Sequence, residues 1–88
     1  MEELEIFLKQ DIGSDLGSRQ QIEELFKNIS NTATKVIMNF EGVEFIGRSF
    51  AQEYLNQKHF ASFEIIEKNM SEDVEKMFQI ILKLNNKS

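Results

Sequence analysis

The stretch from Lys35 to Leu55, KVIMNFEGVEFIGRSFAQEYL, passes through three local characters in quick succession. Val36, Ile37, Met38 and Phe40 form a near-continuous apolar run, the pattern of a strand covered on both faces. Glu41-Gly42 breaks the run as a tight turn, and Val43, Phe45 and Ile46 resume it over too few residues for a helix. From Ser49 onward the spacing becomes helical. Ser49 and Gln52 stand three apart, as an N-cap and its capping-box partner do, and Phe50, Ala51, Tyr54 and Leu55 supply an inward face.

Working outward, the same alternation recurs on both sides. Leu4, Ile6 and Leu8 alternate with Glu3, Glu5 and Lys9, which predicts a half-buried strand. DIGSDLG follows as a loop. Ser18 and Gln21 form a second capping-box pair, behind which Ile22, Leu25, Phe26 and Ile29 make one apolar helical stripe. Beyond the central segment, Phe63, Ile65 and Ile66 mark a third strand. A third helix opens after Ser71, with Glu72 and Asp73 in its first turn favouring the helix dipole. Its stripe is Val74, Met77, Phe78, Ile81 and Leu84. The order strand-helix repeated three times predicts a small α/β domain, β-α-β-α-β-α, with a mostly parallel sheet and helical crossovers. Residues 1–84 are expected to form that domain and residues 85–88 a frayed tail.

Composition narrows the function classes. With 88 residues the chain is expected to hold one core, and 41% hydrophobic content with eight Phe can fill it. Absence of cysteine excludes disulfides, thiolate catalysis and cysteine-based metal sites. The net charge of −5 argues against broad contact with phosphate backbones, so no nucleic-acid partner is expected. No apolar run reaches the roughly 18 residues of a membrane span and the first residues lack a basic leader, so a cytoplasmic protein without membrane contact is expected.

Individual motifs add little chemistry. His59 is the only histidine and lies near the end of the second predicted helix, where it faces solvent or favours the helix terminus. The serines include no nucleophile elbow of the G-x-S-x-G type, and no carboxylate pair stands out as acid and base, so an enzyme is not expected. The loop Gly13–Arg19 is the nearest approach to a phosphate-binding loop. Its glycine spacing is one short of the Walker pattern, Arg19 replaces the lysine, and Asp15 would repel an anion. A nucleotide-binding module using that loop stays open as an alternative, as does a purely structural, self-associating subunit. No cofactor is expected.

The run Val36–Asn39, Glu41-Gly42-Val43, Phe45-Ile46 and Gly47-Arg48-Ser49-Phe50 resembles the central signature of STAS domains, the fold of bacterial anti-sigma-factor antagonists. It is more similar still to the STAS-like family of short bacterial proteins of unassigned function, which typically show Ser-Phe-Ala-Asp-Glu where this chain has Ser49-Phe50-Ala51-Gln52-Glu53. Similarity covers roughly residues 16 to 82, and the motif is short and hydrophobic. In the antagonists an Asp precedes a phosphorylated hydroxyl and a second hydroxyl; here Gly47 stands at the Asp, Arg48 at the phosphorylated position and Ser49 at the second hydroxyl. The usual phosphate acceptor is therefore absent. As an N-cap bonded to the amide of Gln52, Ser49 would also be a poor acceptor.

The resemblance implies a non-enzymatic regulatory module that docks a protein partner, such as a histidine-kinase-like ATPase or a sigma-factor regulator. It places the contact at Gly47, Arg48, Ser49, Gln52 and Glu53, at the start of the second predicted helix. Family members open their first helix with a similar Gly-Ser-Arg, which makes Ser18 and Arg19 a secondary contact. A monomer or weak homodimer is expected.

Overall fold

Three strands, β1 (Glu2–Phe7), β2 (Ala33–Asn39) and β3 (Glu64–Lys68), pair in the order β1-β2-β3, and every pairing is parallel. Among the described residues there are four helices: α1 (Leu8–Asp11), α2 (Arg19–Lys27), α3 (Arg48–Phe60) and α4 (Glu72–Asn85). The structure is a computed structural model that describes residues 2–13, 16–29 and 32–85. Asn85 ends α4, and residues 86–88 of the expected tail lie outside the described residues. The α/β alternation read from the sequence is present, with one addition. Leu8, expected to continue the first strand, instead opens α1. The amides of Ile12 and Gly13 both return to the Leu8 carbonyl, and this single turn swings the chain off the sheet while burying the Leu8 side chain.

Both crossovers step in the same direction across the sheet, and right-handed connections then place their helices on the same face. Accordingly α2 packs on α3 and α3 on α4. Strand register fixes which side chains these helices cover. The rows Leu4-Val36-Ile65 and Ile6-Met38-Glu67 face the helices. The rows Glu3-Lys35-Glu64, Glu5-Ile37-Ile66 and Phe7-Asn39-Lys68 face the other way. Phe7, Ile37 and Ile66 are half-buried there and stand outside the core cluster. The apolar run of β2 is therefore covered on one face, not on both as its sequence suggested. The near-continuous run arises because Val36 and Met38 enter the core while Ile37 packs sideways against Ile66.

Local signals explain the elements. Ser18 caps α2, its hydroxyl accepting from Gln20 N–H at 3.2 Å while Gln21 Oε1 accepts from Ser18 N–H at 3.2 Å. Ser71 caps α4 through Val74 N–H at 3.2 Å and donates its own hydroxyl proton to the Glu44 carbonyl at 3.0 Å. The turn after β2 closes with Val43 N–H on the Phe40 carbonyl at 2.8 Å, and Gly42 sits at its third position with φ +80°, a conformation that favours glycine. Beneath the helices, Phe40 meets Tyr54 and Phe78 edge to face, each at 6.1 Å between ring centres. The Tyr54 hydroxyl donates to Glu67 at 2.7 Å. Burial, and secondarily the Glu67 charge, push the phenol far above its ordinary range, so it remains a donor. The expected stripe of α4 reaches the core through Val74, Phe78 and Ile81, whereas Leu84 is 46% exposed.

Phe40 lies one residue beyond β2, fully buried, with its N–H on the Lys68 carbonyl at 2.8 Å. Replacing it with Ala removes the ring that joins β2 to α3 and α4. Urea melts are expected to show a loss of roughly 3–5 kcal/mol. A loss below about 1 kcal/mol would place Phe40 outside the core.

Candidate functional site

The carboxyl ends of the three strands converge on Asn39, whose polar side chain is buried at the end of β2. Its Nδ2 donates to Glu5 at 2.9 Å on β1, and its Oδ1 accepts from Glu41 N–H and from Asn69 Nδ2, each at 3.0 Å. Asn69 holds φ +60°, a left-handed conformation that Asn tolerates well. One amide thus ties β1, the turn after β2 and the turn after β3 together. With its bonds satisfied on both atoms, Asn39 is a brace and not a reactive group.

From this braced end the chain runs Val43–Ile46 toward α3. Val43 and Ile46 are buried, while Phe45 between them is 60% exposed. Ile46 forms a parallel bridge with Leu16, and Gly47 N–H donates to the Leu16 carbonyl at 2.7 Å. The Gly47 carbonyl then accepts from Ala51 N–H at 3.0 Å, which begins α3. Gly47 is therefore the N-cap, and Ser49 is not. Ser49 instead occupies the second position of the helix, exposed, with no side-chain hydrogen bond among the described residues. The Ser-x-x-Gln spacing misled because a tertiary hydrogen bond to Leu16 starts the helix two residues earlier than the local pattern does. The Ser49 hydroxyl is therefore not occupied by a helix cap.

The Leu16–Ile46 bridge also sets the tips of α2 and α3 side by side. A Cβ placed on Gly47 would stand 2.9 Å from the Gly17 Cα, so the two backbones meet where no side chain fits. This approach gathers Arg19, Arg48, Ser49, Gln52 and Glu53 around one shallow depression of about 250 Å³. Arg48, Ser49, Gln52 and Glu53 were all expected at the contact, and Arg19 joins them from α2. Gly47 lies beneath them, turned toward Gly17, and Ser18 is occupied by its cap. Arg19 holds a loose pair with Glu23 at 3.4 Å, both side chains largely exposed. Arg48 makes no ion pair among the described residues. Glu53 accepts from Gln57 at 2.9 Å and keeps its charge, so the depression carries both signs.

Two residues at this end were not singled out by sequence reasoning. Phe45 borders an adjoining depression with Lys9, Leu16 and Glu44. Its signal was present as the middle member of an apolar triplet, but alternation alone does not say which member faces out. Asn39 was hidden inside the strand run, and only its position directly before Glu41-Gly42 hinted at a turn-bonding amide.

In the loop Gly13–Arg19, Ser14 and Asp15 lie outside the described residues. Leu16 of that loop is buried and its carbonyl engaged, while Gly17 is packed on Gly47. His59 is exposed, with its ring 5.0 Å from that of Phe60. Among the described residues no cluster of His, Asp or Glu could hold a metal ion, and no helix is long and apolar enough to cross a membrane. Comparison of the chain with protein-family models, with curated proteins and with solved structures finds no match. The site is therefore read from its geometry.

Gly47 has φ −76°, which alanine adopts freely, so Gly47→Ala isolates the cost of separating the helix tips. A loss of roughly 1–3 kcal/mol in urea melts is expected, because backbone and not a flexible side chain must give way. Arg48→Ala, on the exposed surface beside it, is expected to stay within about 0.5 kcal/mol of wild type. Equal stability of Gly47→Ala and wild type would show that the tips are not in contact.

Proposed function

We propose that this chain is a non-enzymatic, STAS-like docking module that binds a regulatory protein through the tip of α3 and the loop before it. The observation that carries this reading is the gathering of Arg19 and Arg48 from two separate helix tips around Ser49, Gln52 and Glu53. Guanidinium groups are favoured at interfaces because their planar forks bind carboxylates with two hydrogen bonds. Arg48 makes no ion pair among the described residues and sits on the braced end of the sheet, so little order is lost when a partner engages it. The exposed Phe45 nearby offers an apolar anchor of the kind enriched at interfaces. The resemblance of this segment to anti-sigma-factor antagonists supports a partner such as a histidine-kinase-like ATPase or a sigma-factor regulator. The partner surface at this point would present carboxylates to the two arginines.

Arg48→Glu tests the docking tip. A carboxylate in the first turn of a helix favours the dipole, so the melting temperature should stay near that of wild type. Co-purification from native lysate should lose the specific partner by at least about tenfold, as expected when a charge pair at an interface is reversed. Equal recovery of the same proteins with both forms would remove the α3 tip as the docking site. The nucleotide alternative separates independently. A docking module is expected to show no thermal shift with ATP or GTP, whereas saturation of a nucleotide site at 100 times its dissociation constant would contribute about 2.7 kcal/mol.

A further inference from the structure

We propose that two copies of this chain join through the free edge of β3, forming one six-stranded sheet across a two-fold axis. Among the described strands β3 pairs only with β2, so its outer edge is open. The Lys68 carbonyl points toward β2, where it accepts from Phe40 N–H. Backbone groups alternate in direction along a strand, so the N–H and C=O groups of Ile65 and Glu67 point outward at the open edge. An antiparallel copy centred on Ile66 sets Ile65 of each chain opposite Glu67 of the other. Each such pair exchanges both of its hydrogen bonds.

That register matches the side chains as well. On the open face of the sheet, Glu64 of one copy meets Lys68 of the second copy, and this opposite-charge pair occurs twice. Between them Ile66 meets the second copy's Ile66 and continues the row from Ile37, giving an apolar line across the joined sheets. The other edge lacks this complementarity. An antiparallel copy of β1 centred on Leu4 would set Glu3 against Glu5 twice, and like charges directly opposite are destabilising.

The helix layer carries a second, independent feature at the same edge. Leu82 of α4 shares a depression with Leu55 and His59 of α3, which identifies the flank of α4 that faces α3. At 3.6 residues per turn, Ile80 and Leu84 project roughly 160° from Leu82, on the flank beyond β3. They are 52% and 46% exposed. Antiparallel association brings these flanks together above the paired β3 strands, and it opposes the helix dipoles favourably. The acidic first turn of α4, with Glu72, Asp73 and Glu75, then lies toward the end of the other copy that carries Lys83. β3 is an edge strand of five residues whose outward backbone groups are open to pairing, and a self-complementary register makes that pairing specific.

Sedimentation equilibrium over a dilution series tests the proposal with wild type, Lys68→Glu, Glu64→Lys and the double variant. Wild type is expected to rise from the chain mass of 10.3 kDa toward twice that value. Each single reversal turns two attractive pairs into two repulsive ones and should weaken association at least about tenfold. The double variant restores opposite charges in the same register and should recover an affinity within about threefold of wild type. Circular-dichroism melts of the four proteins confirm that each is folded before it is scored. A wild type that stays at the monomer mass at every concentration overturns the proposal. So does a double variant no better than the singles, or single variants that associate as tightly as wild type.

Discussion

Gly17 and Gly47 approach each other closely enough that Gly47 has no room for a Cβ, and the candidate site depends on that approach. It is held by the Leu16–Ile46 bridge and by the short hydrogen bond from Gly47 N–H to the Leu16 carbonyl. Were the two tips a residue's width further apart, Arg19 and Arg48 would belong to separate surfaces. Because they are locked together, both guanidiniums stand over one depression on a support that has little freedom to move. The electrostatic character of the site is thus a consequence of a steric fit beneath it.

The rest of the fold supports this arrangement from below. A three-stranded sheet covered on one face is a thin layer, and its stability rests on how well the helices fill that face. Phe40, Tyr54 and Phe78 form the joint between sheet, α3 and α4, and Phe26 extends it to Phe63 at 6.1 Å. Tyr54 and Lys58 both reach Glu67, at 2.7 Å and 2.9 Å, which fastens α3 to β3 at that residue. At the carboxyl end Asn39 performs the corresponding task with neutral hydrogen bonds. Buried amides of this kind are costly when left unpaired, and here each polar atom has a partner. The same one-sided construction leaves Ile37 and Ile66 on the face away from the helices and, among the described residues, both sheet edges open, so the architecture that positions the site also creates surface available for association.

Local signals in the sequence were sufficient for α2 and α4. Their apolar stripes and their Ser18 and Ser71 caps act over one or two turns, and tertiary structure agrees with them. The parallel strand order followed from alternation. Legibility ended where a distant residue decides the outcome. Ser49 repeats the spacing of Ser18, yet a hydrogen bond from Gly47 N–H to the carbonyl of Leu16, far off in the chain, moves the N-cap of α3 to Gly47. Leu8 continues a period-2 pattern, yet the chain must leave the sheet there and turns into α1. The run Val36–Met38 is equally compatible with one or two covered faces, and the choice comes from the direction of the crossovers, which no short window contains. At the site, Arg48, Ser49, Gln52 and Glu53 were legible as neighbours at one helix start, with Arg19 expected as a secondary contact. Their meeting with Arg19 followed only from the Gly17–Gly47 contact.

The amide of Gly47 reports on that contact directly. Hydrogen exchange measured residue by residue is expected to place it within about tenfold of the Ile37 and Met38 amides in the centre of the sheet, opening only when the domain does. An amide that exchanges at the rate of an unstructured loop would show that the two helix tips are not docked, and the shared arginine surface would then not exist.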